Sequence, residues 1–152
     1  MSELSTRLPD DGLPPPHLRF THKRDIVGSP VYVSYLATMG RKMTLESWTS
    51  RAVCKHEIHE LITTAAQAEP GGIVHDVGYL GFFEIADGGS MRIGDLVRIN
   101  DRPIGHVLGF DATHLPNHLN IVIQCEAAWT GRDLQMRLED EIRFSAEPTA
   151  PS

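Results

Sequence analysis

A small, mostly antiparallel β-barrel with a disordered N-terminal arm is the fold this sequence predicts, and three observations predict it. Short β-branched and aromatic runs follow one another along the chain, glycines and turn pairs punctuate them, and no heptad or internal repeat interrupts them. With 152 residues the expectation is one domain, which can bury roughly 70% of its unfolded surface. A composition of 41% hydrophobic and 22% charged residues places most of the chain in a globular body.

In chain order, residues 1–24 are rich in Pro, Ser and Asp around Pro14-Pro15-Pro16 and read as an extended arm with little to bury. The domain then spans residues 25–146, and residues 147–152 form a flexible tail. Val31 to Leu36 is β-branched and aromatic and reads as the first strand. Residues 50–67 are ambiguous. Val53, Cys54, Ile58, Leu61, Ile62 and Ala65 fit one helical face, whereas Ile62-Thr63-Thr64 favours β structure; the surrounding strands and the Gly71-Gly72 turn tip the segment toward strand. Val74 to Ile85 is a long run broken by Gly78 and Gly81, which predicts a bent strand with a bulge or close backbone approach. Leu96 to Ile99, the pair Asn100-Asp101 and Pro103 to Leu108 form a hairpin by turn chemistry. Leu119 to Cys125 alternates, and Asp140 to Phe144 supplies a short closing strand.

Charge and cysteine usage narrow the function classes. A formal net charge of −6 provides no basic field for phosphate backbones, so nucleic acid is not an expected partner. No apolar run approaches the roughly 20 residues that span a bilayer, and no apolar h-region marks a secretory signal. Cys54 and Cys125 lie far apart without metal-ligand spacing, and free thiols in the cytoplasm are the expected state.

The densest chemistry lies in Asp111 to Asn120, where two imidazoles, two carboxamides, a carboxylate and a hydroxyl precede the apolar Ile121 to Ile123. His114 and His118 are four apart, but Pro116 between them disfavours a helix, so the segment is a turn that can still converge both rings. Downstream, alternation puts His118, Asn120, Val122 and Gln124 on one face, expected to line a polar cavity, and Leu119, Ile121, Ile123 and Cys125 on a core face. A neutral imidazole ligates Zn or Fe or passes a proton near pH 7, and a carboxamide orients a carbonyl. Two site readings therefore stand. In one, His114, His118, Asn120, Asp111 and Glu84 are an acid–base site. In the other, His114, His118 and Glu84 ligate a divalent metal. The plainer alternative is that Asp111, Thr113 and Asn117 cap turns while the histidines satisfy loop carbonyls.

Other clusters carry less. His56-Glu57-Ile58-His59-Glu60 lacks the zincin spacing, since its second histidine falls at +3 rather than +4, and it reads as a charged edge strand. Asp76 and Glu84 share parity with Gly78, Leu80 and Phe82, provided no bulge intervenes, and an inward Glu84 would be desolvated. Met91 to Ile99, followed by Arg102 to Val107, resembles the Gly-Asp hairpin of translation-factor-type barrels, which implies architecture rather than activity. Together, Gly78 to Glu84, the Gly94-Asp95 hairpin and the Gly-Phe-Asp…His-x-Pro-Asn-His-x-Asn stretch of Gly109 to Asn120 resemble a bacterial family of small proteins of unknown function. That resemblance implies a domain signature and transfers no activity.

The function expected is a small metabolic enzyme acting on a small molecule through a His/carboxylate site, with or without a divalent metal. The alternative is a non-catalytic ligand-binding or homo-oligomeric assembly module, for which Trp129 and the charged segment Arg132 to Arg143 would offer the contact surface. No phosphate-binding glycine loop or dinucleotide fingerprint is present, which disfavours a nucleotide.

Overall fold

The computed structural model describes residues 22–147, and every regular element in them is a strand. In order these are β1 (Ile26–Val33), β2 (Ala37–Thr38), β3 (Met43–Thr44), β4 (Ser50–Val53), β5 (Ile58–Thr64), β6 (Ile73–Val74), β7 (Val77–Asp87), β8 (Gly89–Arg92), β9 (Leu96–Ile99), β10 (Arg102–Asp111), β11 (Asn120–Gln124) and β12 (Ile142–Ser145). The ambiguous segment is strand, as its surroundings suggested. Most of the expected arm and tail lies outside the described residues.

One eight-stranded sheet runs β1-β12-β9-β10-β11-β5-β7-β2, and β1 pairs with β7 as well, so its hydrogen bonding closes into a ring from which β2 projects. Neighbours are antiparallel except β5 and β11, which are parallel with Asn120 opposite Glu60. That single parallel contact needs a long crossover, and the chain spends β6 to β10 making it. Two small ribbons, β3-β6 and β4-β8, stand apart from the ring's hydrogen bonding, and Val53 of β4 and Met91 of β8 join the ring's core cluster.

Local chemistry explains the turns. Asn100 and Asp101 both adopt positive φ, 49° and 69°, as a two-residue hairpin demands, and Arg102 pairs with Ile99 directly across it. Asp95 caps the preceding turn by accepting the Arg92 amide at 2.9 Å. It also holds Lys23 at 2.7 Å, with both side chains under a tenth exposed, so the ordered body reaches back at least to Lys23. The first strand begins at Ile26 rather than Val31. Gly28 and Pro30 mask it in the sequence, yet β12 pairs only with Ile26 to Gly28, so the missing amide of Pro30 breaks no bond on that side.

Gly81 is the bulge that the glycine pair predicted. Its φ is 139°, and a Cβ there would stand 1.9 Å from the Tyr32 carbonyl oxygen, so only glycine fits. Across the bulge the register with β5 shifts by one residue between Leu61 and Ile62. Leu80 and Phe83 therefore both point into the ring, while Phe82 and Glu84 point out.

The core is double. Inside the ring Leu61, Leu80, Phe83, Phe110, Ile121, Ile123 and Phe144 form one apolar cluster. On the opposite face of the same strands Ile62 and Val122 meet Met43, Leu45, Val74 and Val77, so the β3-β6 ribbon covers β5 and β11 from outside. This corrects the expectation for β11. Its second face lines no polar cavity within the ring; Val122 is fully buried under the outer ribbon, and the polar residues cluster beyond it at one end.

Candidate functional site

The site is built where β10 hands over to β11. Asp111, the last residue of β10, is 2% exposed and accepts three hydrogen bonds: from the Thr113 amide at 3.2 Å, the Thr113 hydroxyl at 2.6 Å and Asn120 Nδ2 at 2.8 Å. The first two form an Asx-type turn, and the third bolts the two ends of the loop together. Between them residues 113–117 turn through a cis Leu115–Pro116 peptide, with the Asn117 and His118 amides both donating to the His114 carbonyl. Asp111 thus does what the capping alternative requires, and its carboxylate is consumed in doing so.

The loop stacks the two histidines. The rings of His114 and His118 lie 5.0 Å apart with a 22° interplanar angle, and Phe82 meets His118 edge-on at 4.9 Å. Outward-pointing Phe82 is available for this only because of the Gly81 bulge. Asn117 Nδ2 contacts His118 Nδ1 at 3.0 Å, which leaves Nε2 to carry the ring proton. That Nε2 and the Asn120 Oδ1 are both buried and short of full hydrogen-bond geometry, and the weaker contact between these two side chains is what Asn120 offers the ring. Facing Nε2 is Glu60 Oε1 at 3.7 Å, close enough for an ion pair and beyond hydrogen-bond length.

Glu60 arrives from β5 by register, since it lies opposite Asn120 in the parallel pair. Burial raises its pKa above the ordinary 4.5, and Asp111 adds to the rise against the opposing pull of His114 and Arg41. For His118 burial lowers the pKa below 6.5, helped by His114 and His59 and opposed by Asn120 and Asp111. The two groups are thereby moved toward each other, the condition under which one proton is shared with least driving force either way.

His59 plays a supporting part. It is 5% exposed, its Nδ1 accepts the Leu119 amide at 3.0 Å, and its Nε2 therefore carries the proton offered to Glu57 at 3.0 Å. It ties β5 to the chain beside His118. Ile58 to Glu60 accordingly belong to an interior strand of the ring, between β11 and β7, rather than a charged edge, and His56 lies in the turn before it with a φ of 76°.

Beside this group opens a cleft of about 430 Å³, whose walls include Tyr32, Arg41, Glu60, Tyr79, Phe82 and His114. The β2 excursion forms one wall, pinned by the Tyr79 amide on the Leu36 carbonyl and the Gly40 amide on Asp76.

Of the expected residues the structure brings together His114, His118, Asn120 and Asp111. It does not bring Glu84. The condition attached to Glu84 fails at the Gly81 bulge: Glu84 points outward like Phe82 but lies two residues further along β7, opposite Ile58, 43% exposed and 3.3 Å from His56. The expected metal set His114, His118 and Glu84 is therefore not convergent, and among the described residues no three His, Cys, Asp or Glu side chains are grouped to hold an ion. Sequence reasoning passed over Glu60 and Arg41. Strand parity did place Glu60 on the opposite face from Leu61, but only the β5–β11 register reveals what it faces.

The chain belongs to a family of unknown function, DUF6917. The match spans residues 20–145, which takes in every strand described above. No curated protein and no solved structure matches the chain.

Of the surfaces named for assembly, part is engaged within the chain, while Arg132, Asp133, Arg137, Leu138 and Glu139 stay exposed. Trp129 packs half-buried against the ring core, and its carbonyl accepts the Thr63 hydroxyl at 2.6 Å. Arg143 pairs with Asp25 and Glu141, and Arg102 donates to the Leu134 carbonyl. Both cysteines are free, and burial pushes the Cys125 thiol up to about 12, which makes it a packing residue. No helix among the described residues is long and apolar enough to cross a membrane.

Proposed function

We propose that the ring is a small β-barrel whose outer cleft binds a small molecule and moves a proton on it, with Glu60 and His118 as the acid–base pair. The carrying observation is the buried His118 Nε2, held only by its weak contact with Asn120, facing the Glu60 carboxyl at 3.7 Å. A buried polar atom short of a full hydrogen bond is expensive to keep, so one set directly behind Glu60, which lines the cleft, favours a site that a reactant completes. Glu60 takes the role that sequence reasoning gave to Glu84; Asp111 and Asn120 set the loop, and His114 shields the pair on its solvent side. A divalent ion on the two histidines and Glu60 is a variant of the same site that requires the loop to rearrange, since the three are not grouped to hold an ion as they stand. A cytoplasmic setting fits the free thiols.

Titration of the His118 ring nitrogens by NMR tests the pair. A carboxylate this close favours the imidazolium, so Glu60→Gln should lower the His118 midpoint. An unchanged midpoint would dismiss the pair. Zn(II) added to the same sample shifts both rings at one equivalent if the metal variant holds.

A second reading, assembly, is favoured by one observation: Val31, Tyr32, Tyr35, Leu36 and Met39 are all large, apolar and exposed. Sedimentation of wild type beside Tyr35→Ser distinguishes a dimer closed by this run from a monomer.

A further inference from the structure

The acid–base pair occupies only one side of the cleft, and the other side has a chemistry of its own. Arg41 stands there half-buried, with its backbone amide on the His75 carbonyl and its Nη1 donating to the Tyr79 hydroxyl at 2.6 Å. Its guanidinium lies over the Tyr79 ring, 5.8 Å from the centroid. These contacts aim the group and leave it beyond ion-pair distance of any carboxylate among the described residues, with Glu60 of the same cleft feeling its charge from further off. A guanidinium has five donors in a fixed fork, and here one is used.

Between Arg41 and the pair the walls are flat and apolar. Tyr32 and Phe82 stack at 6.0 Å with an 11° interplanar angle, and Tyr32 and Leu36 remain 55% and 56% exposed. Aromatic walls, a pre-aimed arginine and a polar pair at the far side are the usual parts of a site for a compact organic acid. Net charge does not favour anions here, so recognition has to come from this one residue at close range.

We infer that the ligand of this cleft is a small carboxylate with a flat apolar body, its carboxylate on Arg41, its ring against Tyr32 and Phe82, and its reacting end toward Glu60 and His118. This assignment rests on the reading of the cleft as a small-molecule site. It also orients the reaction: the carboxylate is a handle, and the proton is exchanged at the opposite end of the molecule.

Phenylacetate is the probe, followed through backbone amide shifts of the full chain, with benzylamine and benzyl alcohol as cationic and neutral counterparts. Saturable shifts are expected at residues 79–82 and 114–120 with phenylacetate, and none with benzylamine. Arg41→Gln should weaken binding at least about tenfold, Arg41→Lys should weaken it less, and Tyr32→Ser should weaken it through the lost ring contact. Arg132→Gln, on the adjoining cleft near Tyr35 that shares only Ser34 with this one, should change nothing. Absence of saturation up to about 20 mM, equal binding of benzylamine, or loss on Arg132→Gln in place of Arg41→Gln would overturn the assignment. The two readings fail separately. Phenylacetate can fail while the His118 midpoint still responds to Glu60→Gln, which removes the ligand class alone. It can also bind while that midpoint stays fixed, which removes the proton pair alone.

Discussion

Val122→Ala is the substitution that most directly tests the double core. Val122 is fully buried, yet it faces away from the ring interior and packs with Met43, Leu45, Ile62, Val74 and Val77. Truncation removes two methyl carbons, worth about 1.6 kcal/mol of transfer free energy at ~0.8 each. Incomplete collapse of the surrounding ribbon adds a cavity cost, for a total of about 2–3 kcal/mol. A valine on the solvent side of a sheet would cost less than about 0.5 kcal/mol. Urea unfolding followed by Trp48 and Trp129 fluorescence measures the difference. A double-mutant cycle sharpens it. Val122→Ala and Leu45→Ala should couple by about 0.5 kcal/mol or more because they share one cluster, whereas Val122→Ala and Val97→Ala should add. A loss under about 0.5 kcal/mol with an unchanged slope would refute the claim that the β3-β6 ribbon is part of the core.

Three further outcomes follow from other contacts. Asp111→Ala should cost about 3 kcal/mol, since three donors lose a buried carboxylate, and Asp111→Asn should fall between it and wild type; thermal melts rank the three. Lys23→Met should cost about 3 kcal/mol by leaving Asp95 buried without its cation, and a loss below about 1 kcal/mol in urea unfolding would show that the pair is solvated. For the pH profile the signs are opposite at the two members of the pair. The raised Glu60 makes the folded state the tighter proton binder, so stability falls as pH rises through 4.5 toward the folded value, and Glu60→Gln removes that fall and stabilises at neutral pH. The lowered His118 makes the unfolded state the tighter binder, so stability is lost as pH falls through 6.5, and His118→Asn removes that loss; melting curves between about pH 4 and 8 check both.

The chemistry-bearing stretch was legible because its residue types are local. Asp111 capping Thr113, Pro116 forcing a turn and Asn100-Asp101 closing a hairpin all act within a few positions, where side-chain type and backbone preference suffice. Period-two alternation likewise identified Leu119, Ile121 and Ile123 as core, and the Gly78 and Gly81 pair announced a bulge. What alternation cannot say is what covers the other face. Residues 43–45 and 73–77 cover it, and they lie far along the chain from Val122.

The site divides along the same line. Sequence determined that His114, His118, Asn120 and Asp111 fall in one loop, because a loop keeps its own residues together. Tertiary structure decided which carboxylate faces them. Glu84 and Glu60 are equally plausible by residue type, but one bulged residue at Gly81 brings Phe82 to the outer face beside the histidines with Glu84 two residues beyond it, opposite Ile58, and one parallel register sets Glu60 beside Asn120. A one-residue shift exchanges the faces of a strand, and that shift is fixed by the Tyr32 carbonyl pressed against Gly81, a contact between residues almost fifty positions apart.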